Sequence, residues 1–101
     1  MTFDNLVFSP HKSDKKHSIA STVFLDKKNN ICLSVVAGPN LYCSGREDKM
    51  INPTEDDFAS FEVAIIDESN EENEFDVRGW QSREDINEII KGYDKKEIPT
   101  R

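Results

Sequence analysis

Residues 61–93 read FEVAIIDESNEENEFDVRGWQSREDINEIIKGY, and the fold class turns on this stretch. Phe61, Val63 and Ile65 alternate onto one face, which is the period of a strand. Ala64 and Ile66 make the opposite face partly apolar, so a central strand with cover on both sides is expected. An acidic loop follows from Asp67 to Asn73. Glu74-Phe75-Asp76-Val77-Arg78 then alternates as the second arm of a hairpin, with Phe75 and Val77 predicted to point inward. Ser82 is a good helix N-cap, and Asp85 stands three residues on, where a capping box places an acid or amide. Glu84 and Asp85 put negative charge where the helix dipole favours it. Ile86, Ile89, Ile90 and Tyr93 follow i, i+3, i+4, i+7 spacing and form one apolar face. Gly92 and the lysines at 91, 95 and 96 mark the helix end, and residues 97–101, which include Pro99, are expected to fray.

Working back towards the N-terminus, Ser21 to Leu25 and Ile31 to Val36 are rich in β-branched and apolar residues. They flank the turn-forming cluster Asp26-Lys27-Lys28-Asn29-Asn30, and together they predict a hairpin in which Ile31, Leu33 and Val35 share a face. Phe3 to Phe8 reads as a short first strand ended by Ser9-Pro10, and residues 11–18 as a polar loop. Residues 37–57 read as irregular, with a turn at Gly38-Pro39-Asn40 and a short strand at Leu41-Tyr42-Cys43. So long a connection in so small a domain points to a functional or mobile loop. The expected whole is one α+β domain over residues 1–101: a small antiparallel sheet of four or five strands with one C-terminal helix packed on it.

Charge is unevenly distributed. The chain of 101 residues has a net charge of −7. Residues 1–30 carry five lysines and three aspartates, giving +2, while residues 47–76 carry twelve acids and one lysine, giving −11. That footprint argues against direct binding to nucleic acid or to an anionic membrane and fits a protein partner with a basic surface. Solubilisation of a small protein is the simpler explanation of the same charge. The start, Met1-Thr2-Phe3-Asp4-Asn5, lacks the basic region of a secretory signal, and no apolar run reaches transmembrane length. Two cysteines, Cys32 and Cys43, are too few for a disulfide framework. A hairpin centred on 38–40 would bring Cys32 near Arg46 rather than Cys43, so free thiols and a cytoplasmic setting are expected.

No complete catalytic, metal or cofactor motif stands out. His11, Asp14 and His17 would need a fourth ligand from elsewhere to hold zinc. The glycines at 38, 45, 79 and 92 form neither phosphate-binding pattern. Asp67 to Glu72 lacks the glycine and the spaced final glutamate of a calcium loop. The carboxylates are abundant, but none is singled out by an apolar setting that would raise its pKa. Cys43 with a histidine has no local support as a nucleophile, so neither a catalytic role nor a cofactor is expected.

Binding is what remains. Glu55, Asp56 and Asp57 with Asp67, Glu68, Glu71, Glu72, Glu74 and Asp76 supply nine carboxylates, which make one dense negative surface if the two segments meet at one sheet edge. Tyr42 and Arg46 give the long loop an interface-like composition. Gly79-Trp80 reads as a strand-to-helix corner packed by the one tryptophan, with an exposed partner anchor as the alternative. In size, acidity and lack of catalytic motif the chain is similar to small phage anti-defence proteins of the anti-CRISPR kind and to bacterial immunity proteins, a likeness of composition that covers no motif. It implies an inhibitor of a nucleic-acid-handling protein or of a defence or toxin system. The other readings are a small-ligand, nucleotide-type binder using residues 38–53, often as a homo-oligomer, and a self-assembling structural subunit.

Overall fold

The computed structural model describes residues 1–39, 41–43, 51–68 and 75–97, with Phe75 and residues 94–97 as backbone alone. Five strands, β1 (Ser9–His11), β2 (Asp14–Asp26), β3 (Ile31–Ala37), β4 (Phe61–Asp67) and β5 (Phe75–Gln81), form one sheet in the order β1-β2-β3-β4-β5. Every neighbouring pair is antiparallel. The helix α1 (Arg83–Glu97) lies on one face of it, as the α+β reading expects. No described helix is long and apolar enough to cross a membrane.

The β2–β3 hairpin turns through Lys27 to Asn30. Asp26 accepts the Asn29 amide hydrogen bonds, and Asn30 takes a positive φ of 58°, which asparagine tolerates better than most residues. Leu33 and Val35 stand opposite Ile65 and Val63, and all but Ile65 are fully buried. Ile86 and Ile90, one helical turn apart, close over this row together with Phe61. Phe61 is wrapped by the rings of Phe3, Phe8 and Phe58, with centroids 5.1, 5.8 and 6.3 Å away.

The start of α1 follows the expected capping box. The Asp85 amide donates to Ser82 Oγ at 3.1 Å, and the Ser82 amide donates to Asp85 Oδ2 at 2.9 Å. The Ser82 backbone N–H first, and its side chain second, hold the Asp85 carboxyl below the usual aspartate range. Its contribution to stability is therefore fully present above the unfolded-state pKa and is lost as pH falls through the folded one. Ser82→Ala should cost about 1 kcal/mol. The loss for Asp85→Asn should be full at neutral pH and vanish towards strongly acid pH, as read by thermal unfolding across pH.

Several local expectations are corrected. Phe3–Asn5 is a 3-10 turn, not a strand, because the Thr2 amide caps onto Asn5 Oδ1 and the Phe3 amide onto Asn87 Oδ1, tying this segment to α1. Most of the polar loop predicted over 11–18 belongs to β2, recruited by β1 and by the distant Asn52 amide, which donates to the Lys16 carbonyl at 2.7 Å. Leu41–Cys43 is a bend. No hairpin returns from 38–40 alongside β3, because both edges of β3 are taken by β2 and β4, and Cys32 stands opposite Ile66. β4 is, by contrast, the inner strand that its pattern predicts, flanked by β3 and β5, and its face carrying Ala64 and Ile66 is half-buried.

The largest departure is in β5. Phe61 pairs with Gln81 but Val63 pairs with Arg78, so β5 holds one extra residue at Gly79–Trp80, opposite Glu62. With this register Asp76 and Arg78 stand opposite Ile65 and Val63 on the helix side. Val77 stands opposite Ala64 on the other face and is exposed.

Candidate functional site

The direction of β4 decides where the acids lie. Glu55–Asp57 form a 3-10 turn shortly before β4, capped by the Thr54 amide on Asp57 Oδ2. Arg83, the first residue of α1, fixes this turn in place. Its Nη2 donates to the Glu55 carbonyl at 2.6 Å and its Nη1 to the Phe58 carbonyl at 3.0 Å. The guanidinium also lies over the rings of Phe3 and Phe61. Because Arg83 spends these donors on backbone oxygens, the Glu55 and Asp56 carboxylates keep no hydrogen-bond or ionic partner among the described residues.

Asp67, Glu68 and Asp76 lie at the opposite end of β4. Six strand steps at about 3.3 Å separate the ends by roughly 20 Å. Among the described residues the two acidic segments therefore do not meet at one sheet edge but form two separate ends, because a strand carries its two flanks apart. Glu68 accepts a hydrogen bond from Cys32 Sγ at 3.3 Å. Asp76 pairs with Arg78 at 2.7 Å, and that hydrogen bond holds its carboxyl low, so its charge is partly spent inside the chain. Glu71, Glu72 and Glu74 lie outside the described residues, as does Arg46.

Tyr42 and Trp80 meet at the Phe61 end. Their ring centroids are 5.3 Å apart, and each residue keeps 56% of its surface exposed. The Trp80 amide donates to the Tyr42 carbonyl at 2.8 Å. A Cβ at Gly79 would stand 2.7 Å from Tyr42 Cβ, so glycine is what allows the two segments to touch. Trp80 has a φ of 52°, an unfavourable conformation for a bulky residue. The Tyr42 amide donates to Glu62 Oε1 at 3.3 Å, which brings a carboxylate to the pair. The sequence favours a packed corner at Trp80, and the bulge instead turns the ring outward. The glycine beside it is the one sequence signal that points this way.

His11 Nδ1 accepts the Ser13 amide, and no three His, Cys, Asp or Glu side chains gather to hold a metal among the described residues. Cys43 is 1% exposed, and its Sγ makes hydrogen bonds with the Gly38 backbone. Cys32 is also buried. Burial, then the hydrogen bond to Glu68 and the charge of Glu68, push its thiol up. In the native protein neither thiol should react with Ellman's reagent at the rate of a free cysteine, and both should react in denaturant. A fast native thiol would contradict the packing.

A groove of about 310 Å³ is lined by Phe8, Lys15, Ser18, Ile19, Asn52 and Pro53, among others. No family model, curated protein or solved structure matches the chain.

Proposed function

We propose that this chain is a non-catalytic binding protein that presents acidic surface to a basic protein partner. The partner class is a nucleic-acid-handling protein of a defence or toxin system, which the chain inhibits by occupying a phosphate-binding groove. The observation that carries the reading is the −11 charge of residues 47–76 together with the placement of Glu55 and Asp56, held in an ordered turn with no cation spent on them. Ordered, uncompensated carboxylates speed encounter and select for a basic surface. The test is capture of partners by the tagged chain from a lysate of the source cells. Capture of a basic nucleic-acid-binding protein at low salt, lost at high salt and lost in Glu55→Lys/Asp56→Lys, is expected. Capture unchanged by the reversal would remove the acidic turn from the reading, and empty beads would remove the reading itself.

A small-ligand role is favoured by one observation. The 310 Å³ groove is lined in part by Asn52 and Pro53, at the end of the 38–53 segment, and holds Lys15 and Ser18. Its volume is at the lower end of the range for ligand sites. A thermal-shift screen of nucleotides that moves the melting temperature would support this reading over the first.

A further inference from the structure

We propose that Tyr42, Trp80 and Glu62 together form a receptacle for an arginine side chain of the protein partner. The inference rests on the binding reading above and names the contact at its centre. Two aromatic rings 5.3 Å apart, each half-exposed, offer π faces and edges to a single incoming group. The carboxylate of Glu62, which stands opposite the Gly79–Trp80 bulge, accepts the Tyr42 amide at 3.3 Å. Its second oxygen has no hydrogen-bond partner among the described residues.

An apolar occupant fits this chemistry poorly, because it would shut a carboxylate away from water without a counter-charge. A guanidinium satisfies both halves. It stacks on tryptophan and tyrosine and directs its N–H groups at a carboxylate, whereas an ammonium is a compact point charge that holds its water more tightly.

Among the described residues no cation pairs with the Glu62 carboxylate. Residues 51–90 contain thirteen acids and only two cations, Arg78 and Arg83. Arg78 pairs with Asp76 and stands opposite Val63 on the helix side of the sheet. Arg83 is bound to the Glu55 and Phe58 carbonyls. Neither of these two arginines is spare to fill the position.

The backbone gives independent support. Trp80 occupies a left-handed conformation, Gly79 gives up its side chain to let Tyr42 approach, and the Trp80 amide is bonded to the Tyr42 carbonyl. Packing does not require this, since more than half of the tryptophan remains in solvent. A strained, exposed aromatic held by its neighbours is the pattern of a contact residue kept for its surface.

The test needs no partner. Trp80 is the only tryptophan, so its indole N–H is a single signal in a nitrogen–proton correlation spectrum of the full chain. Acetyl-triarginine amide is titrated at low ionic strength, with acetyl-trilysine amide as the comparison. The expected result is a saturable shift of the Trp80 indole and of the Tyr42 and Glu62 amides, stronger with triarginine. Trp80→Gly, which suits the positive φ, and Glu62→Gln should each weaken triarginine binding by roughly two- to fivefold, read at the remaining amides. Their melting curves establish that they fold.

Shifts centred on Asp67, Glu68 and Asp76 with a silent Trp80 would overturn the proposal. So would equal binding of the two peptides with no effect of either variant. The two readings can also fail separately. Triarginine seated on Trp80 with no basic protein captured would retain the receptacle and sink the inhibitor. A captured basic protein indifferent to Trp80→Gly would do the reverse.

Discussion

Phe61→Ala should lower the melting temperature by about 12–25 °C, the largest effect expected of any single truncation in this chain. Phe61 is fully buried and is shared by three groups: the N-terminal turn through Phe3 and Phe8, the segment before β4 through Phe58, and α1 through Arg83. Removing a buried phenylalanine ring costs about 3–5 kcal/mol, through lost transfer energy and an unfilled cavity. A domain of this size moves by about 4–5 °C per kcal/mol. Total stability of such domains is commonly about 5–15 kcal/mol, so the variant sits near the edge of folding at physiological temperature. Phe61→Leu, which keeps most of the volume, should lose less than half as much. Differential scanning calorimetry separates the two, and a Phe61→Ala shift below about 5 °C would mean that the aromatic cluster is not the centre of the core.

How far the sequence anticipates this structure depends on the range of the interactions. α1 is legible because its determinants are local: Ser82 and Asp85 cap each other three residues apart, and the Ile86–Ile90 spacing sets the buried face. The β2–β3 hairpin is legible for the same reason. Strand character over Asp14 to Ser18 is not, because the partners shown for it, His11 opposite Asp14 and the Asn52 amide on the Lys16 carbonyl, are polar or distant and leave no periodic mark. The orientation of Val77 fails through one inserted residue. A bulge at Gly79–Trp80 reverses which alternate positions of β5 face α1, and strand alternation alone has no means of locating it.

The candidate site follows the same rule. The acidity of residues 47–76 is visible in the composition, but whether the carboxylates lie together is a matter of strand direction. β4 places Glu55 and Asp57 before its first residue and Asp67 and Glu68 at its far end. The meeting of Tyr42 with Trp80 is a contact between segments 38 residues apart, made possible by a glycine whose importance shows only in three dimensions. Charge can thus be read from the chain, whereas the aromatic contact that would give the charge a specific target cannot.

Arg83 connects these two levels, and Arg83→Met should expose the connection. The substitution keeps an unbranched apolar stem against Phe3 and Phe61 but removes both donors to the Glu55 and Phe58 carbonyls. Hydrogen bonds from a charged donor contribute about 1.5–3 kcal/mol each, and water can reach the half-exposed turn to replace part of them, so a net loss of about 2–3 kcal/mol is expected. Arg83→Lys should lie between, since an ammonium cannot span two carbonyls as a planar fork does. The loss should be local before it is global. The amides of Asp57 and Phe58, bonded to the Thr54 and Glu55 carbonyls, should exchange with solvent faster by a larger factor than the amides of β3. Uniform acceleration across both would reduce Arg83 to a general core residue. Under the local outcome, Arg83→Met should also weaken capture of a basic partner although no acid has been changed. The role of the arginine is then to hold Glu55 and Asp56 in one geometry, so that their order as well as their charge contributes to recognition.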